Sequence, residues 1–285
     1  MFTKENNATN CGHTFGHMNR LRFKTLLICY LFSIPLAHCA STPSGGSAFM
    51  LFTEEFEKDI GESAFKDYLS RVQLSGDTRM KEILVRVGNR IAKASPRPGY
   101  PWQFELISSS QVNAFSTSGG KVAFYEGIMK ICQNEAGLAT VMGHEVGHSV
   151  SRHMGQRLSQ ALSLTAVEIG VAVGVKDQSK RDAILAAVAI GGEFGIILPF
   201  SRIHEFEADN LGFQYMAKAG YDPDEAIAFW ERFAAVTGGG NNLGEFFSTH
   251  PATLNRIKEM RSFLPWARKF YQAAPQKYGA GEMLY

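Results

Sequence analysis

The sequence predicts an α+β fold that is mainly helical. The chain has 285 residues, 45% of them hydrophobic and 20% charged, which suffices for one full-sized core. Strand patterning is confined to residues 102–125, and the pattern beyond Glu126 is helical nearly to the end. No alternation of strands and helices is present, so a parallel α/β sheet is not expected. The formal net charge of +2 argues against a nucleic-acid-binding protein, which normally carries a basic surface.

The N-terminus has the composition of an export signal. Residues 1–24 contain four basic residues and one acid, and residues 25–37 contain no charge. This pattern predicts a secretory signal peptide over residues 1–38, with Met18 as an alternative start. An uncleaved membrane anchor is the alternative, although 13 uncharged residues are few for a span that needs about 20.

Cys39 ends a segment, LAHC, that is similar to the processing site of bacterial lipoproteins. Lipid on Cys39 is therefore one hypothesis, and ordinary cleavage after Ala40 is the other. The Ser, Thr, Pro and Gly residues that follow predict a flexible tether over residues 39–52. From these features we expect an exported protein of the periplasm, attached to the outer membrane if Cys39 carries lipid.

The elements of the mature chain follow from periodicity and from cap residues. A peptidase-sized domain is predicted over residues 53–265, followed by a C-terminal tail at 266–285. Apolar stretches at 161–175 and 183–198 are interpreted as packed or membrane-surface elements, with a mobile lid or a transmembrane pair as alternatives. The spacing predicts helices over 53–72, 80–94, 135–157, 201–220, 223–238 and 251–263, and strands over 102–107, 113–116 and 121–125.

The HEVGH sequence at residues 144–148 is the clearest indication of a catalytic metal site. On a helix, His144 and His148 lie on one face, so that their two imidazoles can bind one metal ion. Glu145 lies beside the open position of such an ion and can accept a proton from water. Catalytic zinc takes three protein ligands and one water, so one Zn2+ per chain is predicted and a third ligand is required.

A carboxylate is the best candidate for the third ligand. A third histidine six residues after His148 is absent, because Met154 stands there. Glu205 and Asp209 lie four residues apart and share a helical face. We expect Glu205 to bind the metal and Asp209 to hold the free nitrogen of a ligand histidine.

Three segments together carry a family resemblance: HEVGH, SRIHEFEAD at residues 201–209, and the upstream pattern NAF…GG…YEG at 113–127. They resemble the gluzincin zinc metalloendopeptidases, the family of HtpX, the CAAX prenyl endopeptidases, BepA and LoiP. Over residues 53–263 the chain is most similar to the exported branch of LoiP and BepA. The resemblance implies a zincin-like fold, in which the helix with the HExxH motif packs under a small sheet whose edge pairs with an extended polypeptide substrate.

The resemblance also implies zinc held by His144, His148 and Glu205, with Glu145 as the general base. The expected activity is hydrolysis of peptide bonds in misfolded envelope proteins. Two alternatives are a non-proteolytic chaperone or binding module that contains zinc, and an integral-membrane peptidase with an uncleaved N-terminal anchor. The intact Glu145 argues against the first alternative, because a structural zinc site needs no base.

The donor that stabilises the oxyanion is left open among four residues. These are His250, Arg202, His204 and Arg256. His250 lies in the sequence STHPA, which is similar to a loop of the same family. It either caps the last helix or points into the cleft, where it would occupy the water position or contact substrate and so gate activity.

Overall fold

Four of the described helices begin after a residue whose side chain caps the helix. The computed structural model describes residues 38–161, 163, 201–237, 250 and 254–285. Each capping side chain accepts a hydrogen bond from the backbone N–H three residues later, as N-caps do. These caps are Thr53, Asp77, Asn134 and Ser201. In chain order the elements are β1 (His38–Ser41), β2 (Ser47–Met50), α1 (Glu54–Leu69), α2 (Thr78–Ala94), β3 (Gln103–Ile107), β4 (Ala114–Thr117), β5 (Lys121–Tyr125), α3 (Glu126–Cys132), α4 (Glu135–Val150), α5 (Arg202–Lys218), α6 (Asp224–Thr237) and α7 (Leu254–Ala273).

A three-stranded sheet in the order β3-β5-β4 separates two apolar clusters. β5 lies in the centre, parallel to β3 and antiparallel to β4. Its alternate residues Val122 and Phe124 enter the main core, whereas Ala123 and Tyr125 join Phe65 of α1 on the opposite face. The α+β, mainly helical fold class is confirmed, and the sheet stands between α1 and the helical layer.

Every residue of α4 is buried. A helix that is apolar on all sides belongs inside the core, and the Ala, Gly, Val and Met residues of α4 fit this position. The polar side chains of the HEVGH motif are therefore buried as well, and each needs a partner. Because α4 packs between the sheet and α5, it can receive partners from both sides.

The region around β1 and β2 differs from the predicted tether. The two strands form a sheet of their own, in which Met50 is 1% exposed. The N–H of Leu51 donates to Ser159 Oγ at 3.0 Å. The burial of Met50 and the hydrogen bond to Ser159 fix the end of this segment. Its Ser- and Gly-rich composition did not indicate these contacts.

Two helix boundaries also differ from the periodicity. The predicted helix over 135–157 is interrupted after Val150, because Arg152 has a φ of 58°, and residues 153–161 form a separate helical segment. The last helix does not stop at Phe263 but passes through Pro265 to Ala273. The predicted boundary at 265/266 therefore falls inside α7.

The last residues of the chain pack onto the start of α4. Leu284 is 1% exposed, and the carbonyl groups of Glu282 and Ala280 accept from the N–H groups of Glu135 and Ala136, each at 2.9 Å. The unpaired N–H groups of a helix start are thereby satisfied. The segment predicted as a tail thus packs against the domain.

Residues 1–37 of the predicted signal peptide and residues 164–200, which include nearly all of the two apolar stretches, lie outside the described residues. Within the described ranges, no helix combines the length and apolarity needed to cross a membrane.

Candidate active site

The two histidines of the HEVGH motif and Glu205 converge in the core. His144 Nε2 and His148 Nε2 are 3.0 Å apart, and Glu205 Oε2 and Oε1 lie 3.5 and 3.4 Å from them, respectively. All three side chains are buried. Glu205 reaches the pair because α5 crosses α4 at backbone contact: a Cβ on Gly147 would lie 2.9 Å from the carbonyl oxygen of Ala208.

These donor atoms fit a tetrahedral zinc ion. With Zn–N and Zn–O bonds of about 2.0–2.2 Å, tetrahedral ligand atoms lie about 3.3–3.6 Å apart. The two distances from Glu205 match this range, and the two Nε2 atoms lie closer together, at 3.0 Å. His144 Nδ1 is 2.9 Å from Asp209, so its proton is on that nitrogen and Nε2 carries a lone pair. The Nε2 atom of His148 lies opposite that lone pair, an arrangement that a cation between the two nitrogens would stabilise.

The charges around the site favour a cation as well. Burial alone would lower the pKa of His144, but the carboxylates of Glu205 and Asp209 raise it. Burial and the nearby His144 lower the pKa of His148 well below its usual range, so that its imidazole is neutral. Glu205 keeps its charge, because His250 and His144 outweigh burial and lower its pKa. The negative potential that attracts a proton to His144 also attracts a metal ion.

Asp209 holds the outer nitrogen of His144 and is itself held by Arg256. The guanidinium donates from Nε to Oδ2 and from Nη2 to Oδ1, both at 2.7 Å. Its Nη1 lies 2.9 Å from Glu205 Oε2. Burial would raise the pKa of Asp209, but Arg256 and His144 lower it, so the carboxylate is charged. This arrangement orients His144 and compensates two buried negative charges.

Glu145 is fully buried beside the histidine pair. The hydroxyl of Ser116 on β4 donates to its Oε2 at 2.9 Å and to its backbone oxygen at 3.0 Å. Its other oxygen, Oε1, has no hydrogen-bond partner among the described residues. A buried carboxylate oxygen with free lone pairs next to the ligand atoms is suited to accept a proton from water.

His250 completes a cluster of four potential metal ligands with His144, His148 and Glu205. Its Nδ1 lies 3.1 Å from His144 Nε2 and 2.9 Å from Glu205 Oε1, and its Nε2 lies 3.5 Å from Glu145 Oε1. The structure places the His250 imidazole beside the predicted ligands and Glu145.

The side chains of two other oxyanion candidates, Arg256 and His204, already contact other residues. Arg256 already donates to Asp209 and lies against Glu205. His204 stacks on His153 with ring centroids 4.4 Å apart, and its Nε2 is 3.1 Å from Gln156 Oε1. Burial, with a further contribution from His153, lowers the pKa of His204 to about 4, so it is neutral at pH 7.

Two further predicted residues are Arg202 and Cys39. Arg202 is exposed at the start of α5, and Cys39 lies in β1.

Sequence reasoning missed the contacts of Ser116 and His153. Ser116 is contributed by a strand, and nothing in its neighbourhood in the sequence links it to Glu145. His153 lies five residues after His148, which on a continuous helix is about 140° away from the ligand face. The break at Arg152 brings its Nδ1 to 2.9 Å from His148 Nδ1.

Comparisons with known proteins agree with this geometry. The family Peptidase M48 matches residues 79–264. The mitochondrial metalloendopeptidase OMA1 of Schizosaccharomyces pombe is 32% identical over 220 residues, which is 75% of this chain and 63% of the relative. OMA1 of Danio rerio is 32% identical over 75% of this chain and 46% of the relative. The beta-barrel assembly-enhancing protease of Escherichia coli K12 is 25% identical over 72% of this chain and 43% of the relative. The chain thus spans less than two thirds of the length of these relatives.

The predicted location is contradicted. The relatives named OMA1, from two yeasts, a plant and zebrafish, are mitochondrial, so the comparisons do not support a periplasmic or outer-membrane protein. The cleavable signal, the lipid on Cys39 and membrane association stay predictions.

The resemblance to gluzincin metalloendopeptidases is confirmed, and with it the enzyme class and the zinc cofactor at the level of the family. The described residues contain a buried set of donors that zinc accepts. Since the family match covers well over half of the sequence, this chain belongs to Peptidase family M48.

Proposed function

We propose that this chain is a zinc-dependent endopeptidase, with zinc held by His144, His148 and Glu205 and with Glu145 as the general base. The observation that carries the proposal is the convergence of these three ligands at 3.0–3.5 Å next to a buried carboxylate. Bound zinc supplies a Lewis acid that makes water nucleophilic near neutral pH.

The residues of the chain perform the proton transfers. Ser116 holds Oε2 of Glu145, which leaves Oε1 to accept the proton of the attacking water. The same carboxyl group then gives the proton to the leaving amine. Asp209 and Arg256 hold the ring of His144 throughout, because both are buried and ion-paired.

The edge of the sheet suggests the form of the substrate. The first edge of β4 pairs with β5, and its second edge is an outer edge of the three-stranded sheet. Ser116 contacts Glu145 from the face of the sheet that lies on α4. Among the described residues, no strand pairs with this second edge. An extended polypeptide can add to such an edge, so we propose that the substrates are unfolded or misfolded protein segments.

Cleavage of casein tests the proposed activity. The Glu145→Gln variant keeps the zinc ligands and removes the base, so its kcat/KM should fall at least about 100-fold while its zinc content stays unchanged. If the wild type binds zinc but cleaves no more casein than the variant, the chain is a non-proteolytic zinc module and the proposed activity is wrong.

We also propose that His250 gates the site. Its imidazole lies between the ligand atoms and Oε1 of Glu145, where the reacting water has to stand. In the His250→Ala variant, basal casein cleavage should therefore rise while one zinc per chain is retained. Unchanged basal and substrate-stimulated proteolysis would exclude this role.

A further inference from the structure

Among the residues that the structure describes, the outer nitrogen of His148 contacts an imidazole, whereas that of His144 contacts a carboxylate. Nδ1 of His148 lies 2.9 Å from Nδ1 of His153, a residue with no exposed surface. The left-handed residue Arg152, with a φ of 58°, turns the chain between them. Two hydrogen bonds hold the Arg152 guanidinium to Glu57, at 2.9 and 2.7 Å, so this turn is fixed by the fold.

If His148 binds a metal, the contact between the two imidazoles allows only one placement of their protons. Nε2 of His148 faces the ligand cluster and must carry a lone pair, so the proton of its neutral ring is on Nδ1. That N–H donates to Nδ1 of His153, which therefore acts as the acceptor. The proton of His153 is then on Nε2, which lies 3.2 Å from Oε2 of Glu207.

Glu207 ends the chain of hydrogen bonds and is held in place itself. The hydroxyl of Ser44, in the turn between β1 and β2, donates to its Oε1 at 2.6 Å. Glu207 follows Glu205 by two residues on α5, about 200° around the helix axis. The same helix therefore carries the proposed ligand Glu205 and the carboxylate that contacts His153.

We propose that His153 and Glu207 are positioning residues for the metal site, acting through His148. Glu207 fixes the tautomer of His153, and His153 fixes the ring orientation and tautomer of His148. The function is equivalent to that of Asp209 for His144, with an imidazole inserted between carboxylate and ligand. This inference rests on the proposed zinc site.

Zinc affinity tests the proposal without reference to proteolysis. Outer partners of metal-bound histidines typically contribute 10- to 100-fold to metal affinity. The His153→Leu variant fills a similar volume without an acceptor, so it should bind zinc 10- to 100-fold more weakly in competition with a chromophoric chelator. The His153→Asn variant offers an amide oxygen near the position of Nδ1, and its affinity should return to within a few-fold of the wild type.

Two further measurements separate positioning from packing. Glu207→Ala should weaken zinc binding in the same direction as His153→Leu, whereas Glu62→Gln, which removes an exposed carboxylate on α1, should not. In the Co2+-substituted protein, the visible spectrum should change with His153→Leu and recover with His153→Asn, because it reports the ligand geometry.

Wild-type zinc affinity and an unchanged Co2+ spectrum in His153→Leu would overturn the inference. The inference would also be overturned if His153→Leu and His153→Asn lost zinc affinity equally while Glu207→Ala kept wild-type zinc affinity. His153 would then contribute only packing. A wild-type chain that binds no zinc would contradict the proposed function itself, whereas a zinc-binding wild type with unaffected variants would contradict the positioning role alone.

Discussion

At the scale of single residues, one buried arginine supplies the positive charge beside two buried carboxylates of the proposed metal site. Arg256 lies between Glu205 and Asp209, and Asp209 in turn holds His144. Removing one member leaves a charge unpaired in the interior, which costs more than the loss of a single contact.

Asp209→Asn tests this arrangement. The amide carries no charge, so His144 loses an anionic partner and Arg256 keeps only Glu205 as a paired carboxylate. We expect zinc affinity to fall 10- to 100-fold. Asp67→Asn, which removes an exposed carboxylate paired with Arg71, is the control and should bind zinc like the wild type. Equal affinities for the two variants would contradict the proposed role of Asp209.

Residue types and spacing predicted which side chains converge at the proposed metal site. The i, i+4 pairs His144/His148 and Glu205/Asp209 each follow from helical geometry, which is local and regular. Ser116 and the contact of His153 could not be predicted in this way. The first depends on a strand packed across α4, and the second depends on one residue with a positive φ.

At the scale of elements, the site depends on how closely α4 and α5 approach. Gly147 of α4 faces the backbone of Ala208 on α5 and leaves no room for a methyl group. The glycine in the HEVGH motif thus lets Glu205 come within bonding range of the histidines.

Gly147→Ala should separate the two helices. A Cβ 2.9 Å from a backbone oxygen forces a shift, at a cost of about 1–3 kcal/mol in stability, and moves Glu205 away. We expect a lower melting temperature and at least 10-fold weaker zinc binding. Gly76→Ala, at a position with no atom within 4 Å, serves as control. If Gly147→Ala behaved like this control, close helix approach would not be required.

The start of α1 contributes a pH-dependent ion-pair network. Burial would raise the pKa of Glu54, but hydrogen bonds from Tyr100, Lys58 and Arg97 lower it to about 2. A folded-state pKa below the unfolded value of about 4.5 stabilises the fold above pH 4.5, and this contribution disappears as the pH falls towards 2.

Glu54→Gln should therefore destabilise the protein by about 1 kcal/mol at pH 7, a value reduced for solvent screening, and by much less near pH 2.5. Urea unfolding of variant and wild type at both pH values measures the difference. If the difference in unfolding free energy between variant and wild type stayed constant or increased at low pH, the lowered pKa of Glu54 would be contradicted.

Helices and strands were predicted correctly where the apolar periodicity is regular. Their ends were missed where a single contact or backbone angle determines where the element stops. The helix over 80–94 and the strand over 121–125 match α2 and β5 closely. The sheet order, the break after Val150 and the helical path through Pro265 depend on packing between distant segments.

At the scale of the whole molecule, the C-terminal segment supports the active-site helix. Residues 280–284 supply the acceptors for the first turn of α4, and Leu284 enters the core. Composition alone did not indicate this, because the segment is too short to show a helical or strand period.

Leu284→Ala and its neighbour Met283→Ala form a matched pair. Leu284 is 1% exposed, so its truncation should cost about 2–3 kcal/mol in the free energy of unfolding. Met283 is 55% exposed and should change stability by less than about 0.5 kcal/mol. Denaturant unfolding measures both values, and similar small effects would show that the segment is not part of the core.

Metal analysis of the purified wild type beside Glu205→Ala tests the central assignment most directly. Removing the carboxylate leaves two histidines of the proposed three-ligand set. We predict one zinc per chain in the wild type, and its loss or at least 100-fold weaker binding in the variant. Retention of zinc at wild-type affinity by Glu205→Ala, or no zinc in the wild type, would contradict the proposed metal centre.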